Sequence, residues 1–172
     1  MQSVLLSLHF KQNFVYEQIL KNGQQKKKYL AAALKKAAKK KAAEKILPEL
    51  HEAAFKEIDC LNCARCCKNI SPRFKTPDIK RISKELGMKE SAFIESYLHL
   101  DEDGDYVVKN NPCPFLEKDN KCSIYEVRPG DCKKYPYTDS GDFFEYPNTT
   151  VQNISYCPAV VRVLENIATK VK

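Results

Sequence analysis

A chain of 172 residues, 43% of them hydrophobic, has room for one ordinary domain with a modest core and excludes two full-size domains. Its net charge of +7 is local: ten lysines against one acid, Glu44, lie between Lys21 and Lys45, while the rest of the chain carries 19 basic and 21 acidic residues. A protein basic over its whole surface is thereby excluded, and with no G-x-G-x-x-G or G-x4-G-K-[ST] pattern neither a dinucleotide fold nor a P-loop is supported.

In chain order, the opening MQSVLLSLHF lacks the basic flank and small-residue cleavage site of a signal peptide, and no apolar run reaches the roughly 18 residues of a membrane span. A cytoplasmic protein without membrane association is expected. Residues 1–20 show no clear period. From Lys26 to Lys45 the Ala/Lys-rich composition predicts a long basic helix. Its thin stripe of Leu30, Ala33, Leu34, Ala37 and Ala38 docks only weakly on the rest, with lysines solvated around it. Pro48 restarts the helix, and Leu47, Leu50, Ala54 and Ile58 keep helical spacing up to the first cysteine.

Two short helices are predicted between Thr76 and Leu98. Thr76 is the expected N-cap, with Pro77 at the first helical position; Ile79, Ile82 and Leu86 form the inner face, and Gly87 ends the turn. Phe93, Ile94, Tyr97 and Leu98 repeat the pattern. The pair resembles a helix-turn-helix in outline, yet Glu90 and Glu95 stand where phosphates would sit, so core packing is the expected role. The acidic run Asp101 to Asp105 fails as a calcium loop because Tyr106 replaces the required glycine and Pro112 the closing glutamate. It reads as a turn into a strand, Tyr106 to Val108. A further extended stretch is expected at Lys121-Cys122, and a last helix from Pro158 to about Thr169.

The chemistry lies in eight cysteines: Cys60, Cys63, Cys66 and Cys67 in a C-x2-C-x2-C-C block, then Cys113, Cys122, Cys132 and Cys157. Two residues between cysteines let a tight turn bring two thiolates to one ion about 2.3 Å from each sulfur, a spacing shared by zinc and iron-sulfur loops. In a reducing compartment such a cluster binds metal in preference to forming disulfides. Neighbours in the chain diverge, by about 100° on a helix. Cys66 is therefore expected with Cys60, Cys63 and one distant cysteine, and Cys67 with three distant ones; a single site and a bridged binuclear cluster remain alternatives. His9, His51 and His99 lie outside the cysteine blocks and are read as non-ligands. Tyr125, Tyr135 and Tyr137 are expected to wall the site, and Arg65, Lys68, Arg73, Lys121, Lys133 and Lys134 to offset thiolate charge. Arg128 is the cofactor-binding candidate, its guanidinium suited to forking onto a carboxylate or holding backbone carbonyls around the cluster.

The blocks CLNCARCC, NPCPFL, KCSIYEVRPGDCKKYPY and a closing Cys-Pro, in this order, resemble the YkgJ-type cysteine-cluster family, described as a zinc- or iron-chelating domain. The resemblance covers roughly residues 56–160 and all eight cysteines. It implies a metal-binding protein holding zinc or iron, the latter as ions or as an iron-sulfur cluster. Alternatives are a redox or group-transfer enzyme using the cluster, and a nucleic-acid-associated module using Lys26–Lys45, which is not favoured. The expected architecture is α+β: a mainly helical, metal-organised domain with short strands at 56–172, preceded by a helical lysine-rich extension at 1–55.

Overall fold

The computed structural model describes residues 2–170, with side chains described from residue 12 onward except at Lys41. His9, expected as a non-ligand, therefore has its side chain outside the described residues. The elements in chain order are α1 (Gln2–Gln25), α2 (Lys27–Ala37), α3 (Lys41–Lys45), α4 (Leu47–Glu57), α5 (Cys60–Cys63), α6 (Arg65–Asn69), α7 (Thr76–Glu85), α8 (Glu90–Tyr97), β1 (Leu98–Leu100), β2 (Tyr106–Val108), a 3-10 turn (Tyr125–Val127), α9 (Gly130–Lys134), α10 (Asp142–Glu145), α11 (Pro147–Asn153) and α12 (Pro158–Lys170). This is a mainly helical α+β chain. The long basic helix is not continuous, however: α2 ends at Ala37, and Lys40 is extended before α3 begins. In a continuous helix Lys35 would face Lys39 and Lys36 would face Lys40 at i, i+4, and such like-charge pairs disfavour continuing the helix there.

The chain packs as two compact units, one of residues 1–63 with 136–172 and one of residues 64–135. In the first, α12 packs on α1, α2 and α4. Its Val160, Val163, Leu164 and Ile167 are fully buried. The helical face Tyr16, Ile19, Leu20 and Gly23 of α1 meets it; a β-carbon on Gly23 would lie 2.7 Å from a Val161 methyl, so only a bare backbone fits there. Leu30, Leu34 and Ala37 are at most 1% exposed, so this stripe is core and not a weak docking surface, whereas Ala38, past the end of α2, is exposed. His51 has structural partners, its Nδ1 2.8 Å from the Thr138 hydroxyl and its ring 4.5 Å from that of Phe55.

In the second unit, β1 pairs antiparallel with β2, Leu98 opposite Val108, around a turn in which the Asp101 carboxylate accepts the N–H groups of Asp103 and Asp105. His99 is exposed on β1. Thr76 is not the cap of α7 but its first residue; Asp78 accepts the Lys75 N–H at 3.1 Å instead. At the other end Gly87, at φ +64°, closes α7 with Gly87 N–H to Lys84 and Met88 N–H to Ser83 carbonyls. Phe93 lies 6.2 Å from both Phe74 and Phe115 and 5.4 Å from Tyr97, ring to ring. Against this apolar cluster sit Cys113 and Cys122.

Candidate metal centre

Four segments of the second unit bring thiols together: Cys67 on α6, Cys113 and Cys122 on either side of a tight reversal, and Cys132 on α9. The Cys113 N–H donates to the Cys67 carbonyl at 2.8 Å, fixing the reversal to α6. The reversal closes with Leu116 N–H on the Cys113 carbonyl, Ser123 N–H on Phe115, and a bridge pairing Leu116 with Cys122. Phe115 and Ile124, each next but one to a cysteine, are buried in the aromatic core and anchor both strands of this knuckle. Backbone N–H groups point at the sulfurs: Phe115 and Leu116 at Cys113, Ile124 at Cys122.

Electrostatics link the four. Burial pushes the Cys113 thiol up to about 11 and Cys132 up to about 12, and Cys122 is raised by the same cause. Cys67 adds to the rise in each. Cys67 itself is lowered to about 7, chiefly by the Cys66 thiol 3.9 Å away, with Lys68 assisting. This vicinal pair does not diverge as helical spacing led us to expect. The 3.9 Å separation is within about 0.1 Å of the ~3.8 Å edge of a tetrahedron with 2.3 Å metal–sulfur bonds.

In the first unit Cys60 and Cys63 are the first and last residues of α5, and Cys157 immediately precedes α12. Asp59 caps α5: its carboxylate accepts Leu61 N–H at 2.9 Å and the Asn62 amide at 2.7 Å, and its carbonyl accepts Cys63 N–H at 3.0 Å. The Cys157 sulfur accepts from Ala159 and Val160 N–H in the first turn of α12, where Pro158 contributes no N–H. Burial pushes its thiol up to about 12, with Cys63 and Cys60 adding to the rise.

Arg128 holds a carbonyl. Its Nη1 donates to Tyr125 at 2.6 Å, the guanidinium lies 3.7 Å over the Tyr125 ring, and its charge lowers the Cys122 and Cys132 thiols against burial. Tyr125 is 50% exposed, a platform for Arg128 and not an apolar wall. Arg73 and Lys121 are engaged by carboxylates, Arg73 with Asp131 at 3.0 Å and Asp105 at 3.5 Å, Lys121 with Asp119 at 3.0 Å. The sequence reading missed Arg81. It donates to the carbonyls of Val127 and Arg128 at 3.3 and 2.9 Å, holding the segment that leads into Cys132.

None of the eight cysteines is in a disulfide. Among the described residues no three Cys, His, Asp or Glu side chains converge as tightly as a single ion would hold them. In kind, the donor set fits zinc or iron: soft sulfur ligands, amide N–H groups directed at sulfur, and a nearby guanidinium to offset thiolate charge. A family model named for the C-x-x-C-x-x-C-C block matches residues 59–158, well over half of the chain and all eight cysteines. The chain belongs to the CxxCxxCC family. Its domain is described as a "putative zinc- or iron-chelating domain". No curated protein and no solved structure matches this CxxCxxCC chain. Among the described residues no helix is long and apolar enough to cross a membrane.

Proposed function

We propose that this CxxCxxCC protein holds zinc or iron through its eight cysteines, distributed over more than one centre, with Cys67, Cys113, Cys122 and Cys132 forming one of them. The carrying observation is that four thiols from four separate segments of one compact unit lie within electrostatic reach of one another, with backbone N–H groups on Cys113 and Cys122 sulfurs. Thiolates on a divalent ion leave a surplus of negative charge, which Arg128 and Lys68 offset locally. The chemistry requires reduced cysteines and therefore a reducing compartment such as the cytoplasm.

Anaerobic purification followed by elemental analysis and a visible spectrum tests the reading. Stoichiometric zinc without colour indicates closed zinc sites; iron with sulfide and a reducible visible band indicates a cluster. Replacing Cys67 or Cys132 by Ser should remove part of the bound metal and leave the rest. A wild-type protein that retains no zinc or iron and binds neither when reconstituted overturns the proposal.

A further inference from the structure

We infer that Tyr16, on α1 and outside the matched segment 59–158, is a positioning residue for the Cys60–Cys63 turn; this rests on the thiols being metal ligands. Asp59 is the hub of that turn. Three of its acceptor atoms hold Leu61 N–H, the Asn62 amide and Cys63 N–H at 2.9, 2.7 and 3.0 Å. Its own N–H donates to the Tyr16 phenol oxygen at 2.9 Å. The turn is thus tied by one backbone hydrogen bond to a side chain 43 residues earlier.

Tyr16 is 1% exposed and its ring belongs to the apolar core formed by α1, α2, α4 and α12. A buried phenol oxygen needs a hydrogen-bond partner, and a ring locked in a packed core offers that oxygen at a fixed place. Core packing therefore decides where Asp59 sits, and Asp59 decides the course of the backbone through Cys60 and Cys63. Outer groups that orient ligands in this way change metal affinity by about 10–100-fold when removed. The N-terminal helix is accordingly part of the metal-binding apparatus.

Tyr16→Phe keeps the ring and deletes only the acceptor. The test uses the full-length, metal-free, reduced protein and cobalt(II) as probe, followed by thiolate-to-metal charge-transfer absorption. In a Cys132→Ser background the signal reports the thiols of the first unit; in a Cys157→Ser background it reports those of the second. Tyr16→Phe should weaken cobalt binding about tenfold in the first background and leave it unchanged in the second. Amide exchange at Asp59 in the metal-free protein should accelerate in the same variant. Unchanged cobalt affinity in the first background, or equal weakening in both, overturns the inference, as does unchanged Asp59 exchange. Absence of any charge-transfer band in the wild type overturns the metal reading along with it.

Discussion

Asp78 Oδ1 and Arg81 Nη2 lie 2.7 Å apart on α7, and both then reach the same distant segment. The carboxylate oxygen also accepts Gly130 N–H at 3.2 Å, while Arg81 donates to the carbonyls of Val127 and Arg128. The pair clamps the stretch that delivers Arg128 and Cys132. Asp78 is buried but the Arg81 side chain is 36% exposed, so water screens part of the attraction and geometry matters more than charge. Arg81→Met, which keeps the stem, should cost about 1 kcal/mol in chemical denaturation because two half-buried carbonyls lose their donor. It should also weaken metal binding by the Cys132 group about tenfold and spare Cys60, Cys63 and Cys157. Wild-type stability and affinity in this variant would show the clamp to be idle.

The raised thiols set a pH dependence. In the metal-free protein Cys113 sits at about 11 and Cys132 and Cys157 at about 12, against an ordinary 9.0. A folded value above the unfolded one means stability that is full below pH 9 and lost as pH rises through 11–12. Cys67, lowered to about 7, acts in the opposite sense, its contribution fading as pH falls from 9 through 7. Four raised thiols, Cys122 among them, outweigh one lowered thiol, so the metal-free protein should lose stability above pH 9 in denaturant titrations.

Metal uptake at pH 7 must expel the remaining protons. Full coordination by Cys67, Cys113, Cys122 and Cys132 should release about three and a half, one from each raised thiol and half of one from Cys67. Titration calorimetry of the Cys157→Ser protein in buffers of different ionisation enthalpy reads this number. Fewer than two would exclude coordination by all four.

The stripe on α2 carries a sharp stability prediction. Leu34 is 1% exposed within the core shared with α12, so Leu34→Ala should cost about 2–5 kcal/mol. Exposed Lys36→Ala should stay within about 0.5 kcal/mol. Denaturant titration of the metal-free protein compares them directly, and a small loss at Leu34 would return the helix to the role of a loosely docked extension.

At Gly23 the usual sign of a helical substitution should reverse. Glycine to alanine inside a helix ordinarily gains about 1 kcal/mol. Here the new methyl would meet Val161 at 2.7 Å and Ile154 at 3.2 Å, and such overpacking costs about 1–3 kcal/mol. Gly23→Ala should therefore lower the denaturation midpoint; a rise would mean that α1 and α12 separate freely.

Legibility in the sequence tracked the range of the interactions. The α7 stop at Gly87, the strand at Tyr106 and the start of α12 at Pro158 follow from local turn chemistry, and the C-x-x-C-x-x-C-C block announced the metal family. The buried face of α1 has regular spacing at Tyr16, Ile19, Leu20 and Gly23, but the apolar Phe14 and Val15, 58% and 49% exposed, lie off that face and obscure it. β1 was invisible because Leu98-His99-Leu100 becomes a strand only through its partner. Arg81 and Tyr16 act on backbone atoms 46 or 47 and 43 residues away, and no periodicity carries such a pairing. The Thr76 reading failed by one residue because the Asp78 carboxylate accepts the Lys75 N–H, which makes Lys75 the cap and draws Thr76 into the first turn.

The first unit is discontinuous in the chain, and this bears on the order of assembly at the ribosome. Cys132 is synthesised 25 residues before Cys157, so every thiol of the 64–135 unit has been made while the other unit still lacks Cys157 and the whole of α12. A nascent chain therefore holds every thiol of the 64–135 unit first, whereas α1, α2 and α4 must wait for α12 before their apolar faces are covered. Metal supplied during translation meets the thiols of the 64–135 unit as a full set while Cys60 and Cys63 still lack Cys157.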